Sequence, residues 1–371
     1  MSEPLVPPLC QSSVYTIEDL DALDRIYNGE EAGFIYARDG HPNAQQLADR
    51  LTQLEGARWS LVCGSGMAAI SACVLPLVRQ GDRIVASNRL YGRTTQLFRQ
   101  ELPRFGVQTE FVDANDLDRV RQALQTPVRL LFVETMSNPL CRTIDIPALA
   151  ELCKPSGIRL IVDNTFATPA LVLPLNLGAD IVMESLTKMM GGHGDVTLGS
   201  LSSRDPELQL PAAQVSSIWG LASNPFDCWL ALRGLETLGL RMKAATANAG
   251  ALAGWLAAQP GVSRVVYPGL TDHPDHTLAG RLLQGGFGNM LCFELAGGRD
   301  AVNHFMRNAA VPFSPSLGST QTTCSYPWAT SHRYDSPPEK RRQGIGDGLI
   351  RLSVGVEELS AIQANMAKGF K

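Results

Sequence analysis

The chain has 371 residues, of which 44% are apolar and 18% are charged, a balance that excludes a disordered, collagen-like or coiled-coil protein. Its formal net charge of −4 provides no basic surface for nucleic acid or an anionic membrane. No apolar run approaches the roughly 18 residues of a membrane-spanning helix, and the start MSEPLVPPLCQSS lacks the features of a secretory signal. We therefore expect a cytoplasmic protein with neither a membrane nor a nucleic-acid partner.

The first part of the chain, residues 1–45, contains many turn-forming residues, and its segment GFIYARDGHPNA predicts a loop or arm. From about residue 46 to 235, short apolar segments alternate with helical patterns such as DLDRVRQALQ and IPALAELCKPSG. The predicted strands cover 83–87, 109–113, 129–134, 159–164 and 179–185. Such alternation is typical of an α/β protein with a large, mostly parallel sheet covered by helices on both faces.

A helix is predicted to begin at Pro225, with Asn224 as its N-cap, and to continue to about residue 259 as a bridge between two domains. After Gly261 the pattern changes to mixed α+β, with predicted strands VSRVVYP, NMLCFEL and LIRLSVGV. These changes predict an arm over 1–45, a large domain over 46–235 and a smaller α+β domain over 236–371.

Eight cysteines are spread along the chain, and no two have the CxxC spacing of zinc knuckles or thioredoxin-like sites. Most lie in apolar stretches, where a thiol behaves as a small hydrophobic group, so the pattern favours a reducing compartment. His273 and His276 have HxxH spacing without an evident third ligand. We therefore predict no metal site.

The segment DIVMESLTKMMGGHGDVTLGS places Lys188 directly after an apolar strand and beside glycines. Ser185 and Thr187 are two residues apart and face the same way in an extended segment. An amine with two nearby hydroxyls suits a phosphorylated aldehyde, which the amine can bind covalently while the hydroxyls hold the phosphate. The alternative is a solvated lysine on a glycine-rich loop.

Two further segments carry compatible groups. Asp163 ends the apolar strand of RLIVDNTFATP, where binding sites of α/β sheets collect, and it could hold the pyridine nitrogen of pyridoxal phosphate. In CGSGMAAISACVLPLV, Ser65 or Gly66 opens an apolar helix whose free N–H groups suit a phosphate. The alternatives are a turn-capping aspartate and an ordinary glycine-rich N-cap. Together, the phosphate loop, the acid and the later lysine follow the order found in fold-type I pyridoxal-phosphate enzymes.

The chain resembles the Cys/Met-metabolism (transsulfuration) family of pyridoxal-phosphate enzymes from about residue 7 to residue 358. The most specific match is ESLTKMMGGHGD, which resembles the cofactor-lysine signature of that family. Further matches are YARDGHP, SGMAAI, LYGRTTQLF, ETMSNP, VDNTFATP and RLSVGVE.

The resemblance implies a role for each matching residue, with Lys188 and Tyr91 as the catalytic pair. Lys188 would bind the cofactor and shuttle protons, and Tyr91 would stack on the ring. The cofactor residues would be Gly66, Met67, Tyr91, Asp163, Ser185, Thr187 and Lys188, with Tyr36 and Arg38 reaching a phosphate in a neighbouring subunit. The substrate α-carboxylate would be held by Arg351, Asn138 and Ser316, because a guanidinium binds a carboxylate bidentately. A shared site implies a homo-oligomer, a dimer of dimers.

Several positions depart from the family pattern, mostly on the side of the substrate's distal end. Arg93 replaces a usual glycine, Gln96 stands where an arginine is frequent, and Gln321 or a neighbour stands where γ-specific members often have an acid. His41 and Asn43 replace the asparagine and threonine of the arm motif. We expect Arg93 to contact the substrate and to favour an anionic distal group, unless it points to solvent, to a subunit interface or to a nearby acid.

The resemblance implies cystathionine γ-synthase-like replacement or γ-lyase-like elimination on a homoserine-derived or sulfur amino acid. Within the family, the alternative is an O-acylhomoserine sulfhydrylase or a methionine γ-lyase. A catalytically silent pyridoxal-phosphate-binding protein is an alternative of another class, against which the complete set of Lys188, Asp163, Tyr91 and Arg351 argues. A nucleotide-binding α/β enzyme is a third, but the chain lacks both GxGxxG and GxxxxGK[ST].

Overall fold

The computed structural model describes residues 4–371, and within them seven strands form the larger sheet. These strands are β1 (Trp59–Cys63), β2 (Arg83–Ser87), β3 (Gln108–Val112), β4 (Leu130–Glu134), β5 (Arg159–Asp163), β6 (Ile181–Glu184) and β7 (Gly199–Ser203). Their order across the sheet is β1-β7-β6-β5-β4-β2-β3. Strands β2 to β6 pair in parallel, whereas β7 is antiparallel to both β1 and β6. The predicted mostly parallel sheet is confirmed.

The central strands are buried on both faces. Every residue of β4 is buried, and only the first residue of β5 is not, because helices cover the sheet on either side. The helices that precede, connect or cover these strands are α1 (Leu20–Tyr27), α2 (Pro42–Glu55), α3 (Gly66–Val74), α4 (Gly92–Gln96), α5 (Leu117–Ala123), α6 (Ile146–Cys153), α7 (Thr168–Leu171), α8 (Gln209–Ile218) and α9 (Pro225–Leu235).

Strands β1 and β7 are absent from the sequence prediction. The sequence of β7, GSLSS, contains small and polar residues, and its buried hydroxyls find partners inside the sheet. Ser203 donates to the Asp180 carbonyl over 2.7 Å, and the hydroxyls of Ser202 and Ser60 are 2.7 Å apart. A Cβ atom at Gly199 would lie 2.3 Å from the Ser65 carbonyl, so the start of α3 needs a glycine there.

The prediction of one continuous helix after Pro225 was wrong. Helix α9 begins at Pro225 with Asn224 as its N-cap, as predicted, but it ends at Leu235, and α10 (Leu238–Ala257) follows. The Arg241 guanidinium donates a hydrogen bond to the Gly234 carbonyl over 2.7 Å, and it also donates to the carbonyls of Met189 and Met190. Arg241 thus ties the end of α9 to the segment that follows Lys188.

The smaller sheet is antiparallel throughout, in the order β10-β11-β9-β8 among the described residues. Its strands are β8 (Val262–Val266), β9 (Met290–Leu295), β10 (Thr323–Ser325) and β11 (Leu349–Ser353). The helices in this part are α10, α11 (His276–Leu282), α12 (Gly298–Asn308), α13 (Pro337–Arg342) and α14 (Leu359–Ala367). The mixed α+β pattern expected after Gly261 is present, and the domain boundaries at 45 and 235 stay a prediction.

The N-terminal arm is held to the body by backbone and cap contacts. Trp229 donates its indole N–H to the Pro7 carbonyl over 2.9 Å. His41 caps α2, since its Nδ1 accepts the Ala44 N–H over 3.1 Å, and the Asn43 side chain accepts the Cys10 N–H over 2.9 Å. Both departures in the arm motif therefore fit the local structure. None of the helices in residues 4–371 combines the length and the hydropathy that crossing a bilayer requires.

Candidate active site

A cavity of about 550 Å³ lies at the carboxyl ends of β4, β5 and β6, where ligands of parallel sheets bind. Segments around 315–317 and 329–334, together with β11, complete its lining. Most of the residues predicted to form the site line this cavity, namely Gly66, Met67, Tyr91, Arg93, Asn138, Asp163, Ser185, Thr187, Lys188 and Arg351.

The first turn of α3 forms one wall of the cavity. Ser65 caps the helix by accepting the Ala68 N–H over 3.0 Å. The N–H groups of Gly66 and Met67 belong to the first turn, which has no acceptor inside the helix and carries the positive end of its dipole. A Cβ atom at Gly66 would lie 2.9 Å from the Ser185 Cβ, so this turn rests directly against Ser185. The wall is suited to a phosphate.

The two predicted hydroxyls differ in their surroundings. The Thr187 hydroxyl donates to the Leu198 carbonyl and accepts from the Leu198 N–H, both over 3.2 Å. The Ser185 N–H donates to the Thr165 hydroxyl over 2.8 Å, which fixes the backbone at the end of β6. Of the pair, Ser185 therefore has the freer hydroxyl, and Thr187 must give up its bond to the Leu198 carbonyl before it can donate to a phosphate.

Lys188 extends into the cavity, and its Nζ lies 3.0 Å from the Ser316 Oγ. Burial, together with the positive charge of Arg351, lowers the pKa of Lys188 to about 8. Roughly a tenth of such amines are uncharged at pH 7, far more than for a lysine in water. An amine with these properties can act as a nucleophile and a base, and the alternative of a solvated lysine does not fit.

Asp163 is buried at the end of β5 and accepts the Thr165 N–H over 3.0 Å. Burial raises the pKa of Asp163 to about 6, and no cation within residues 4–371 forms an ion pair with it. A protonated ring nitrogen would supply the missing positive partner.

Glu134 ends β4 beside Asp163 and was not singled out from the sequence. It accepts the Tyr91 N–H, and burial, followed by the charge of Asp163, raises its pKa well above the usual range. The available signal was the one used for Asp163, an acid that ends an apolar strand. Glu134 fixes the backbone before α4 and thereby the position from which the Tyr91 side chain extends.

Arg351 is buried in β11, and its side chain reaches the loop after β4. Its Nη1 donates to the Asn138 Oδ1 over 2.8 Å, and its Nη2 donates to the Ser316 carbonyl over 3.1 Å. Its Nε is buried without a partner in the described chain. A buried guanidinium with a free N–H beside the cavity suits a carboxylate.

Three exposed residues lie on the open side of the cavity. The Arg93 Nη1 donates to the Gln96 Oε1 over 2.8 Å, and its guanidinium carbon lies 5.4 Å from the centre of the Tyr334 ring. Arg333 lines the same opening. Arg333 and Tyr334 were not predicted, since they stand in a loop without a recognisable motif. Gln321 is not part of the lining.

Tyr36 and Arg38 do not line the cavity of their own chain. Arg38 donates to the Ser217 hydroxyl over 3.0 Å, and its guanidinium carbon lies 5.3 Å from the centre of the Tyr36 ring. The two residues are thus together but away from Lys188, and their contact with a neighbouring subunit stays a prediction.

The groups around the cavity fit pyridoxal phosphate. The first turn of α3 would hold the phosphate, Asp163 would face the ring nitrogen, and the Lys188 amine would meet the aldehyde. A free amine, an unpaired buried carboxylate and a helix N-terminus at the ends of parallel strands define the class of α/β pyridoxal-phosphate enzymes.

Comparison with known proteins leads to the family. The model of the Cys/Met metabolism PLP-dependent enzymes matches residues 2–371, and this chain belongs to that family. The O-succinylhomoserine sulfhydrylase of Pseudomonas aeruginosa is 42% identical over 350 residues, covering 94% of this chain and 86% of the relative. The L-methionine gamma-lyase of Pseudomonas putida is 37% identical, covering 99% and 92%.

A crystal structure of cystathionine gamma synthase from Xanthomonas oryzae pv. oryzae in complex with cystathionine matches with a TM-score of 0.93 and 34% identity, covering 99% of this chain and 92% of that chain. The predictions of a fold-type I pyridoxal-phosphate enzyme and of transsulfuration-type chemistry are confirmed. The roles of single residues stay predictions.

Proposed function

We propose that this protein catalyses γ-replacement on an activated homoserine ester, with γ-elimination when no nucleophile is present. One observation carries the proposal: Lys188 and Arg351 meet at Ser316, with the Nζ 3.0 Å from its Oγ and the Nη2 3.1 Å from its carbonyl oxygen. A substrate carboxylate on Arg351 therefore places the α-carbon within reach of the Lys188 amine.

The residues divide the work along the cavity. When bound, pyridoxal phosphate supplies an electron sink that acidifies the protons on Cα and Cβ of the substrate. Lys188 removes the proton from Cα and then the proton from Cβ, a role that suits an amine with a pKa of about 8. Asn138 fixes the Arg351 guanidinium, and Tyr91, which lines the cavity, would cover the ring of the cofactor. The γ-carbon then faces the opening at Arg93.

The test is a product analysis of the purified holoenzyme. With O-succinyl-L-homoserine we expect homocysteine from hydrosulfide, or cystathionine from L-cysteine, and succinate in either case. Without a thiol we expect 2-oxobutanoate, ammonia and succinate. The Lys188→Ala variant is the control for non-enzymatic reaction. Turnover of L-methionine but of no homoserine ester would contradict the proposal and favour a methionine γ-lyase.

The working enzyme is proposed to be a homo-oligomer, a dimer of dimers, in the cytoplasm. The absence of Tyr36 and Arg38 from the lining of their own cavity supports a shared site. All eight cysteines are free thiols, and seven of them are buried, which suits a reducing compartment.

A further inference from the structure

The loop after β4 presents Asn138 to Arg351, and part of its backbone is strained. Cys141, three residues after Asn138, has a φ of +52°, in the left-handed region that a residue with a Cβ atom rarely adopts. Such a conformation costs free energy and persists only where the surrounding structure holds it. The contacts that hold residues 138–143, called here the carboxylate loop, therefore bear on the position of Asn138.

Three buried side chains from a later part of the chain bond to this loop, and the mechanism above uses none of them. They are called here the anchor residues, namely His273, Asp275 and Cys292. His273 and Asp275 precede α11, and Cys292 lies in β9. None of the three lines the cavity, so each can act on the substrate only through the loop.

Cys292 lies directly opposite Arg351 across β9 and β11, so the two side chains project from the same face of the smaller sheet. The Arg351 Nη1 donates to the Asn138 Oδ1 over 2.8 Å, and the Cys292 thiol donates to the Pro139 carbonyl over 3.2 Å. Two adjacent side chains of the sheet thus hold two consecutive residues of the carboxylate loop.

His273 uses both of its ring nitrogens. Its Nδ1 accepts the Asp275 N–H over 3.2 Å, so the hydrogen is on Nε2, which lies 3.2 Å from the Leu140 carbonyl and donates to it. This arrangement needs the neutral imidazole, and burial lowers the pKa of His273. His276, the second histidine of the HxxH spacing, instead bonds to the Pro268 carbonyl over 2.8 Å.

Asp275 holds both a side chain and the backbone at the end of the loop. Its Oδ2 and Oδ1 accept from the Arg142 Nε and Nη2 over 2.6 and 3.1 Å, and Oδ2 also accepts the Thr143 N–H over 3.0 Å. A bidentate pair of this kind is strict in its geometry as well as in its charge. The carboxylate of Asp275 therefore fixes where the loop ends, as Cys292 and His273 fix its middle.

We propose that Asp275, His273 and Cys292 are positioning residues for the substrate α-carboxylate. They hold the carboxylate loop so that Asn138 meets Arg351 on one side and leaves the buried, unpartnered Nε side of the guanidinium for the substrate. The inference rests on the carboxylate site of the proposed function and assigns the residues that support it. When an anchor is lost, the strained loop relaxes and the guanidinium loses its fixed orientation.

The experiment measures binding of two ligands to the holoenzyme: L-norvaline, and butylamine, which is the same amine without the carboxylate. Neither ligand carries a γ leaving group, so the change in the visible spectrum on titration reports affinity and not turnover. The wild type should bind L-norvaline at least about tenfold more tightly than butylamine, because only L-norvaline uses Arg351. A wild-type enzyme that does not distinguish the two ligands would overturn the proposal.

The Asp275→Asn variant should bind L-norvaline at least about tenfold more weakly, while its affinities for butylamine and for pyridoxal phosphate change less than about twofold. The matched control is Asp145→Asn. Asp145 also joins the segment before α6 to α11, through its ion pair with Arg281, but it lies outside the carboxylate loop. This control should change neither affinity. Equal losses on both ligands in Asp275→Asn would show that Asp275 supports only the fold or the cofactor.

Milder variants test the same point where Asp275→Asn fails to fold. Cys292→Ala removes one thiol hydrogen bond and should weaken L-norvaline binding about threefold, whereas Cys292→Ser keeps a donor and should stay closer to the wild type. His273→Gln keeps an N–H donor and should bind L-norvaline more tightly than His273→Ala. Cys153→Ala, on a buried thiol of α6, is the control and should change nothing.

The binding ratio separates this proposal from the proposed function. If no homoserine ester reacts but Asp275→Asn and Cys292→Ala lose affinity for L-norvaline alone, the proposed function fails and the positioning role stands. If the esters are turned over and both variants bind the two ligands in the wild-type ratio, the positioning role is wrong and the proposed function stands.

Discussion

The Arg351 Nη1 donates to the Asn138 Oδ1 over 2.8 Å, although the two residues are 213 positions apart in the chain. Arg351 belongs to the smaller sheet, whereas Asn138 follows β4 of the larger one. The bond joins the two sheets at the place where the substrate carboxylate is proposed to bind. A complete carboxylate site therefore exists only when both parts of the chain are folded.

The Arg351→Lys variant should raise KM for the amino-acid substrate by at least about tenfold, roughly 1.4 kcal/mol, with a smaller change in kcat. An ammonium keeps the charge but cannot bond Asn138, Ser316 and a carboxylate together as the planar guanidinium does. Steady-state kinetics measures the effect, and Arg264→Lys, at an exposed position of β8, is the control. An unchanged KM would remove Arg351 from the proposed carboxylate site.

The Lys188→Ala variant should lack the visible absorption band of the covalently bound cofactor and should have no measurable turnover. No other amine among the described residues lines the cavity. Lys243→Ala, on the exposed face of α10, should retain both the spectrum and the activity. Normal turnover by Lys188→Ala would contradict the assigned chemistry as a whole.

The Gly66→Ala variant should weaken pyridoxal-phosphate binding by at least about tenfold without unfolding the protein. Its Cβ atom would lie 2.9 Å from the Ser185 Cβ, so the first turn of α3 must move away from the phosphate wall. Gly239→Ala, in α10, meets nothing within 4 Å and should bind the cofactor normally. Titration of the apoprotein with cofactor, followed by its visible spectrum, compares the two. Equal affinities would show that this turn does not hold the phosphate.

His41 should make the stability of the protein depend on pH through its capping role. Burial lowers the pKa of His41 from its ordinary value of 6.5. The unfolded chain therefore binds a proton near pH 6.5, whereas His41 in the folded protein stays neutral to lower pH. The contribution of His41 to the free energy of unfolding is present above pH 6.5 and is lost as the pH falls below it.

The His41→Ala variant should lose about 0.5–2 kcal/mol at pH 8, as other N-cap deletions do. The His41→Asn variant keeps a cap without a titrating group, so the free energies of unfolding of wild type and His41→Asn should diverge between pH 7 and 5. Chemical denaturation at both pH values measures this. A constant difference would show that the imidazole does not titrate in this range.

Mixing two inactive chains should restore activity if the site is shared between subunits. An Arg38→Ala chain and a Lys188→Ala chain can together form one site with an intact Lys188 and an intact Arg38. Arg38 contacts Ser217 and Tyr36 in its own chain and is absent from its own cavity. Hybrids, verified by mass spectrometry, that remain inactive would show that Arg38 acts within its own subunit or has no part in the site.

The sequence by itself determined those elements whose residue pattern lies within one short segment of the chain. The alternation of apolar strands and helices predicts the parallel part of the larger sheet, because a strand buried on both faces must be apolar throughout. Asp163 is the last residue of β5 and Lys188 follows the end of β6 by four residues, so their place at one edge of the sheet follows from the topology. The cap at Asn224 was likewise readable, since capping needs only neighbouring residues.

Long-range packing decided the rest. Strand β7 has no apolar run and exists because Gly199 admits α3 and because β1 and β6 flank it. At the break after α9, Arg241 bonds carbonyl groups of both Gly234 and Met189, which lie 45 positions apart in the sequence. Arg93 and Arg333 line one cavity although 240 positions of sequence separate them. Local patterns carry no information on such contacts, because the entropy of closing a long loop is offset only by packing of the whole fold.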